Sequence, residues 1–392
     1  MSRRRPTTAD LRERARAITF RHPVFTAVMM QVSFWLVANS FLVVLMNWLF
    51  RAAAAHTPGL RVIPLKVTLP LALALAVAYG VVLGLIDQWL ERRSDPNRAW
   101  GIRIILKAVL YSGTFVVLAY SFFSLLSPLY MTYFGSVPNA ESKRWMLMAL
   151  LLFASLGNLL ISLIKEVNRG FGPGLLRMML IGAYRRPQVE KRIFMFMDLR
   201  GSTGYAETLG HLRYSAMVRD VFQDVNRMVP RYEAEIYQYV GDEVVLTWNK
   251  HRGADAQRCL LLFFAVQDAI AERADIYRER YGMVPEFKAG VHTGTVTAVE
   301  IGDIKREIAY HGDTVNTAAR IESMNNSFDR QLLVSDQMLM LCGDLSAVGL
   351  REEPMGSILL KGKSKYVTIH AVERIATVRP AVKETMALAT LP

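Results

Sequence analysis

Four long apolar runs occupy the first part of this chain, at residues 25–50, 67–90, 104–126 and 145–164. Each is close to the roughly 20 residues of helix that a bilayer core requires. One such run suits a buried helix of a soluble domain; four in series predict an N-terminal helical membrane domain with four transmembrane helices, residues 23–164. The first run is too long for a signal peptide, and no small-residue cleavage site follows it. The hydrophobic fraction of 52% comes largely from this part of the chain.

Charge sets the orientation. The formal net charge is +13 at pH 7. Basic residues cluster before the first run (Arg3, Arg4, Arg5, Arg12, Arg14, Arg16, Arg21), after the second (Arg92, Arg93, Arg98) and after the fourth (Lys165, Arg169, Arg177, Arg185, Arg186). The other loops are poorer, although Arg51, Arg61 and Lys66 flank the first of them. The positive-inside rule then places both termini and the middle loop in the cytoplasm. Juxtamembrane bias accounts for the excess charge without nucleic acid, which would also call for stacking aromatics. Residues 1–22 read as a cationic cytoplasmic segment, lying on the lipid bilayer or solvated. Gln31, Asn39, Asn47, Asp87 and Asn158 sit within the runs, either as glue between helices or as a site for a membrane-domain ligand. The runs hold no histidine, which argues against a haem bundle. Cys259 and Cys342 lack metal-type spacing and fit a reducing compartment as small buried residues.

Residues 165–190 read as a helical cytoplasmic connector, broken at Gly170-Phe171-Gly172-Pro173-Gly174. From Lys191 the pattern changes to short apolar strands and amphipathic helices. Strands are expected at 192–197, 236–239 and 244–248, the last two joined by the hairpin turn Val240-Gly241-Asp242-Glu243. A helix is expected over 205–234 and one long helix over 254–280. Residues 288–292 and 296–301 read as a strand pair around Gly294, followed by a helix at 314–323 and strands at 332–335 and 366–372. This is an α+β domain, a mostly antiparallel sheet covered by helices, over 191–374, with a tail at 375–392.

The chemistry-bearing residues fall in this domain. Asp198 ends an apolar strand and Asp242 sits at a hairpin tip. Hard carboxylate oxygens of this kind suit Mg²⁺, which keeps waters and binds through one or two carboxylates plus substrate phosphates. Two metals sharing such a pair can activate an attacking oxygen and shield a leaving group. Leu199 to Thr203 follow directly: Gly201 admits a close ligand, Ser202 and Thr203 offer hydroxyls, and a helix start can hold an anion. An ordinary helix cap is the alternative. Asn316 and Arg320, four apart, project from one helix face toward a ribose and a phosphate, or form a surface pair. Lys361 and Lys363 offer a further phosphate contact or an exposed loop.

Residues of about 190–373 resemble the catalytic domain of class III nucleotidyl cyclases. The stretches FMDLRGST, IYQYVGDEVV, AGVHTGTVTAVEIG, YHGDTVNTAARIES and LLKGKSKYVTIHAV occur in family order. The resemblance implies a ferredoxin-like core sheet with helices, and an enzyme that makes a cyclic 3′,5′-nucleotide and pyrophosphate from a nucleoside triphosphate. It implies that Asp198 and Asp242 hold two Mg²⁺ or Mn²⁺ ions with help from the Leu199 carbonyl. Asn316 would orient the ribose, Arg320 would stabilise the pentavalent phosphate, and a lysine of 361–363 would bind terminal phosphates. Each site would lie between two such domains, so the chain is expected to act as a homodimer in the bacterial inner membrane.

The chain departs from the family at base selection. Adenylyl cyclases of this class carry Lys where this chain has Gln238, and Asp or Thr where it has Ala309. A Gln amide can satisfy adenine or, flipped, guanine. ATP is the expected substrate because adenylyl cyclases dominate the bacterial members; a guanylyl or dual-specificity cyclase is the alternative. A diguanylate cyclase is disfavoured, because the first glycine and the Phe of a GGDEF turn are missing. A non-catalytic membrane receptor with a decayed cyclase domain is disfavoured by intact Asp198, Asp242, Asn316 and Arg320. The membrane domain would serve as anchor and dimeriser, or as a sensor.

Overall fold

The computed structural model describes residues 23–57, 61–93, 100–125, 127–134, 139–171, 182–249, 253–360 and 366–375. The chain divides into two compact units, residues 1–180 and 181–392. The cationic segment 1–22, much of the connector and most of the tail lie outside the described residues, as do Lys361 and Lys363.

The first unit is helical: α1 Pro23–His56, α2 Leu65–Arg93, α3 Trp100–Leu125, the short α4 Ser127–Phe134, and α5 Ala140–Phe171. Among the described residues, three helices are long and apolar enough to cross a membrane, over Val24–His56, Leu65–Leu90 and Ala140–Val167. The third expected run falls in α3, where the apolar stretch Ile105–Ser121 is shorter. Gly80 and Gly84 let α2 approach α1 closely, since a Cβ on either would lie under 3.0 Å from the backbone of Val32 or Val28. Small residues are what such a crossing needs in lipid. Trp35, Tyr79 and Phe115 pack edge to face in the interior. Of the five polar residues singled out in the runs, Gln31, Asn39, Asp87 and Asn158 are buried, while Asn47 is half-buried and donates to the Ile63 carbonyl at 3.0 Å. Asn158 donates to the Tyr79 hydroxyl at 2.8 Å. Asp87 pairs with Lys107 at 2.7 Å and with Lys165, so its charge is answered from α3 and α5.

The second unit carries a mixed sheet. Its elements are β1 Gln188–Leu199, α6 Ser202–Met228, β2 Glu235–Val240, β3 Glu243–Asn249, α7 Gly253–Ala271, α8 Ala274–Tyr281, β4 Phe287–Ile301 and β5 Glu307–His311. There follow α9 Asp313–Ser323, α10 Asn325–Phe328, β6 Leu332–Ser335, α11 Asp336–Cys342, β7 Leu350–Ile358 and β8 Val367–Arg374. The strand order is β2-β3-β1-β4-β6-β8-β7, with β5 paired to the far half of β4. Among the described strands only β4 and β6 pair in parallel. The β1-α6-β2-β3-α7-β4 succession with core order β2-β3-β1-β4 is a ferredoxin-like arrangement.

Alternation along β1 builds both faces. Ile193, Met195 and Met197 point into the main core with Met217, Val221 and Val225 of α6 and Leu260, Phe263 and Val266 of α7. Phe194 points the other way, to a cluster with Val245, Val296 and Ala318 of α9. So α6 and α7 cover one face, and α9 packs on the other.

Three expectations need correction. The helix expected over 254–280 is two helices, because Arg273 leaves helical geometry between α7 and α8. Fully buried Asp224 accounts for the break: Arg273 pairs with it and Tyr277 donates to it at 2.7 Å. The strand pair expected around Gly294 is one continuous 15-residue strand. Gly294 is not a turn; a Cβ there would meet the Thr314 hydroxyl at 2.4 Å, so the glycine makes room for α9. The strand that pairs with 297–301 comes instead from 307–311. The small-residue loop after Asp198 is only Arg200 and Gly201, since Ser202 and Thr203 already belong to α6.

Gly290 of β4 seats α9 even more tightly. A Cβ there would stand 2.1 Å from the Glu322 backbone nitrogen. Backbone cannot yield as a side-chain tip does, so Gly290→Ala is expected to destabilise by about 1–3 kcal/mol, as overpacking does. A lowered urea midpoint at unchanged slope would show it; an unchanged midpoint would mean that α9 shifts freely.

Candidate active site

The two aspartates reach one region by different routes. Asp198 is the penultimate residue of β1, directly opposite Lys288 on β4. Asp242 occupies the two-residue turn between β2 and β3, which pair antiparallel up to Val240 and Glu243. Gly241 takes the positive φ that such a tight turn demands, at 64°. Because β3 lies beside β1, the turn comes back to the end of β1.

The resulting cluster is dense in charge. Lys288 Nζ lies 3.2 Å from Asp198 and 2.8 Å from Glu322 of α9. Burial raises the Asp198 pKa; the Lys288 hydrogen bond opposes this and the Asp242 charge adds to it. Burial, then Glu322, Asp198 and Asp242, push Glu243 up to about 7. Burial also raises Glu322, against its Lys288 bond. Burial works against the Lys288 charge, yet Glu322 and Asp198 outweigh it and raise the pKa. Burial and the Asp242 charge raise Tyr214, whose hydroxyl bonds to Ser202 and Asp242. Four carboxylates around one lysine leave an excess of negative charge.

Asp242 Oδ2 is buried and has no hydrogen-bond partner among the described residues. A buried carboxylate oxygen left bare is costly and calls for a cation or donor from outside the chain. Among the described residues no group of three or more His, Cys, Asp or Glu forms a metal cage. Mg²⁺ does not require one; two carboxylates, a carbonyl such as that of Leu199, waters and phosphates fit it. The donor set therefore suits hard divalent cations and not zinc.

Gly201 is the N-cap of α6, with φ 72° and no side-chain cap. The first N–H groups of α6 are thus not taken by a capping side chain. Gln238 lies on β2 and Ala309 is buried on β5.

Asn316 and Arg320 lie on α9, the helix that also brings Glu322 to Lys288. Thr314, Thr317, Ala318, Ile321 and Glu322 form the buried face of α9. At 100° per residue, Asn316 lies roughly opposite that face and Arg320 on its flank; Asn316 is exposed and Arg320 half-buried. Sequence reasoning passed over Lys288 and Glu322. The available signal was a lysine inside an apolar strand, level with a strand-ending aspartate.

Residues 185–373 match the family described as adenylate and guanylate cyclase catalytic domain. The second unit thus contains a class III nucleotidyl cyclase domain. Among similar proteins, adenylate cyclase 2 of Rhizobium meliloti (strain 1021) is 35% identical over 206 residues, covering 53% of this chain and 56% of that protein. Adenylate cyclase 1 of the same organism is 30% identical over 188 residues, covering 45% of this chain and 27% of that protein. The chain thus spans about half or less of these relatives. The crystal structure of the adenylyl cyclase CyaB from P. aeruginosa has 22% identity and a TM-score of 0.43, covering 48% of this chain and 96% of that one.

Proposed function

We propose that this protein is a membrane-bound adenylyl cyclase that converts ATP to 3′,5′-cyclic AMP and pyrophosphate at a homodimer interface. The observation that carries this is the convergence of two carboxylates on one region. Asp198 and Asp242 come together with a bare oxygen, while Asn316 is exposed and Arg320 half-buried on α9. A second copy turned about a two-fold axis would bring its own Asn316 and Arg320 to each site.

In the reaction the ribose 3′-oxygen attacks the α-phosphorus. The O3′–P bond forms, the bond to pyrophosphate breaks, and the hydroxyl proton leaves. Asp198 and Asp242, with the Leu199 carbonyl, would hold two Mg²⁺ or Mn²⁺ ions. Bound there, such ions supply Lewis-acid polarisation and neutralise phosphate charge. Arg320 of the partner subunit meets the charge that develops on the α-phosphate with always-charged donors. Asn316 of the partner subunit holds the ribose oxygen, which fixes the attack angle. The start of α6 offers N–H groups and the Ser202 and Thr203 hydroxyls to the phosphates. Lys361 or Lys363 takes the terminal phosphate.

The adenylate cyclase relatives support ATP. Gln238 favours a second reading, a dual-specificity enzyme, since an amide turned over reads guanine. The membrane unit is read as four spans with both termini in the cytoplasm, an anchor and dimeriser in the inner membrane. Incubating the full-length protein in membranes with ATP or GTP and Mn²⁺, and resolving the products, tests the reading. Cyclic AMP with pyrophosphate is expected; a linear dinucleotide or no product overturns it.

Base reading gives a further expectation. Gln238→Lys with Ala309→Asp should sharpen the preference for ATP by about tenfold, since Lys can donate to N1 and Asp can accept from the exocyclic amine. The measure is the ratio of kcat/KM for ATP and GTP. An unchanged ratio would mean that neither side chain faces the base.

A further inference from the structure

On the sheet face that carries α9, a cation and three aromatic rings close a gap that no strand pairing spans. In the sheet, β3, β1 and β4 separate β2 from β5. Yet Tyr237 of β2 and Tyr310 of β5 meet, with ring centroids 5.0 Å apart. The Tyr310 backbone N–H donates to the Tyr237 hydroxyl at 3.4 Å. Phe194 of β1 packs against both rings, 5.4 Å from Tyr310 and 6.2 Å from Tyr237.

Arg192 stands two residues before Phe194 on the same face of β1. Its guanidinium carbon lies 4.6 Å from the centre of the Tyr310 ring. Its Nε donates to Glu190 at 2.7 Å and its Nη1 to Glu235 of β2 at 3.2 Å. Glu190 is held in turn by the Tyr184 hydroxyl at 2.8 Å. The arginine is 1% exposed. Burying a guanidinium is costly unless its donors and its flat face are both used. Here one plane is tied at once to β2, through Glu235, and to β5, through Tyr310. Lysine, a point charge on a flexible stem, cannot stack and fork in this way.

These two strands carry the pair read above as base-selecting. Gln238 follows Tyr237 directly, and Ala309 directly precedes Tyr310. A displacement of either tyrosine carries its strand neighbour with it. An amide discriminates between purines only when its position and flip are held.

We propose that Arg192 is a positioning residue for base recognition, fixing β2 against β5 so that Gln238 and Ala309 present one geometry to the nucleotide base. This rests on the reading of Gln238 and Ala309 as the base-facing pair. The charge of Arg192 has no direct business with the phosphates, since it is spent on Glu190, Glu235 and the Tyr310 ring.

The test uses the full-length protein in membranes, with kcat and KM for ATP and for GTP. The variants are Arg192→Met, Arg192→Lys and Tyr237→Phe, beside the Gln238→Lys, Ala309→Asp double variant. Arg192→Met should raise KM and move the ATP-to-GTP ratio of kcat/KM toward unity by about fivefold or more, as loosened hydrogen-bond readout does. Half-saturating Mn²⁺ should not change. Arg192→Lys should fall between wild type and Arg192→Met. Tyr237→Phe, which removes one hydroxyl and spares the fold, should move the ratio the same way by less. Mere loss of folded protein lowers kcat for both nucleotides equally and leaves KM and the ratio in place. An unmoved ratio and KM in Arg192→Lys and Tyr237→Phe overturns the proposal, while a moved ratio in the double variant leaves the base-facing pair standing. An unmoved ratio in the double variant removes that pair, and the role of Arg192 falls with it.

Discussion

Full-length protein carrying Asp198→Ala or Asp242→Ala is expected to form cyclic nucleotide about two to three orders of magnitude more slowly than wild type, the size of effect seen when one preorganised electrostatic element of a transition state is lost. The two carboxylates lie within reach of each other's charge, and Asp242 adds to the rise in the Asp198 pKa. Such crowding is unfavourable without a cation, and Lys288 answers only part of it. The folded state should tolerate either change. Asp198→Ala leaves Lys288 its closer partner Glu322, at 2.8 Å. Asp242→Ala removes one carboxylate oxygen without a partner among the described residues, and leaves the Tyr214 hydroxyl its bond to Ser202. Asp198→Asn and Asp242→Asn keep the shape and remove the charge, so they should lose nearly as much rate. The measurement is the initial rate with Mg²⁺ and with Mn²⁺, beside the denaturation midpoint of each variant. Near-normal turnover in any folded variant would remove that carboxylate from the reaction.

What could be read from the sequence, and what could not, divides along a physical line. Local signals were clear. The short apolar run of 192–197, the Gly-Asp turn at 241–242 and the four-residue strand at 332–335 each depend on residues next to one another. The structure places strands over Gln188–Leu199 and Leu332–Ser335 and puts the turn at the tip of a hairpin. Features set by a distant partner were not legible. Gly294 reads as a turn until Thr314 is seen above it. The break at Arg273 has no signal of its own, because its cause is Asp224 nearly 50 residues earlier. Arg192 looks like a surface residue at the start of a strand, yet Glu235 and Tyr310 enclose it from β2 and β5. Strand β7 carries no apolar signal in the sequence because it is almost wholly exposed, so it lacks the alternation that marks a half-buried strand. The third apolar run illustrates the converse: α3 is helical throughout, but its apolar stretch Ile105–Ser121 is shorter than those of the other three long helices.

Mixing two inactive variants should restore activity if each site is shared between chains. Asp198→Ala lacks a carboxylate of one half-site, and Arg320→Ala lacks the half-buried cation of the other. Each alone should fall by at least about a hundredfold, since each removes charge stabilisation from both sites of its homodimer. In a mixed dimer one site loses both groups and the other keeps every group. Random pairing of equal amounts makes half the dimers mixed, each with one whole site of two, so about one quarter of wild-type activity is expected. The geometry of α9 is the reason to expect rescue. Thr317, Ala318 and Ile321 bind it to its own sheet. The close seating of α9 on Gly290 and Gly294 holds the helix in one rotation, with Asn316 exposed and Arg320 half-buried on it. Co-expression with two different affinity tags, followed by sequential capture, isolates the mixed dimer and removes doubt about exchange. Captured mixed dimers with no more activity than either parent would place Arg320 and Asp198 in the same site of a single chain, or leave Arg320 outside the reaction altogether.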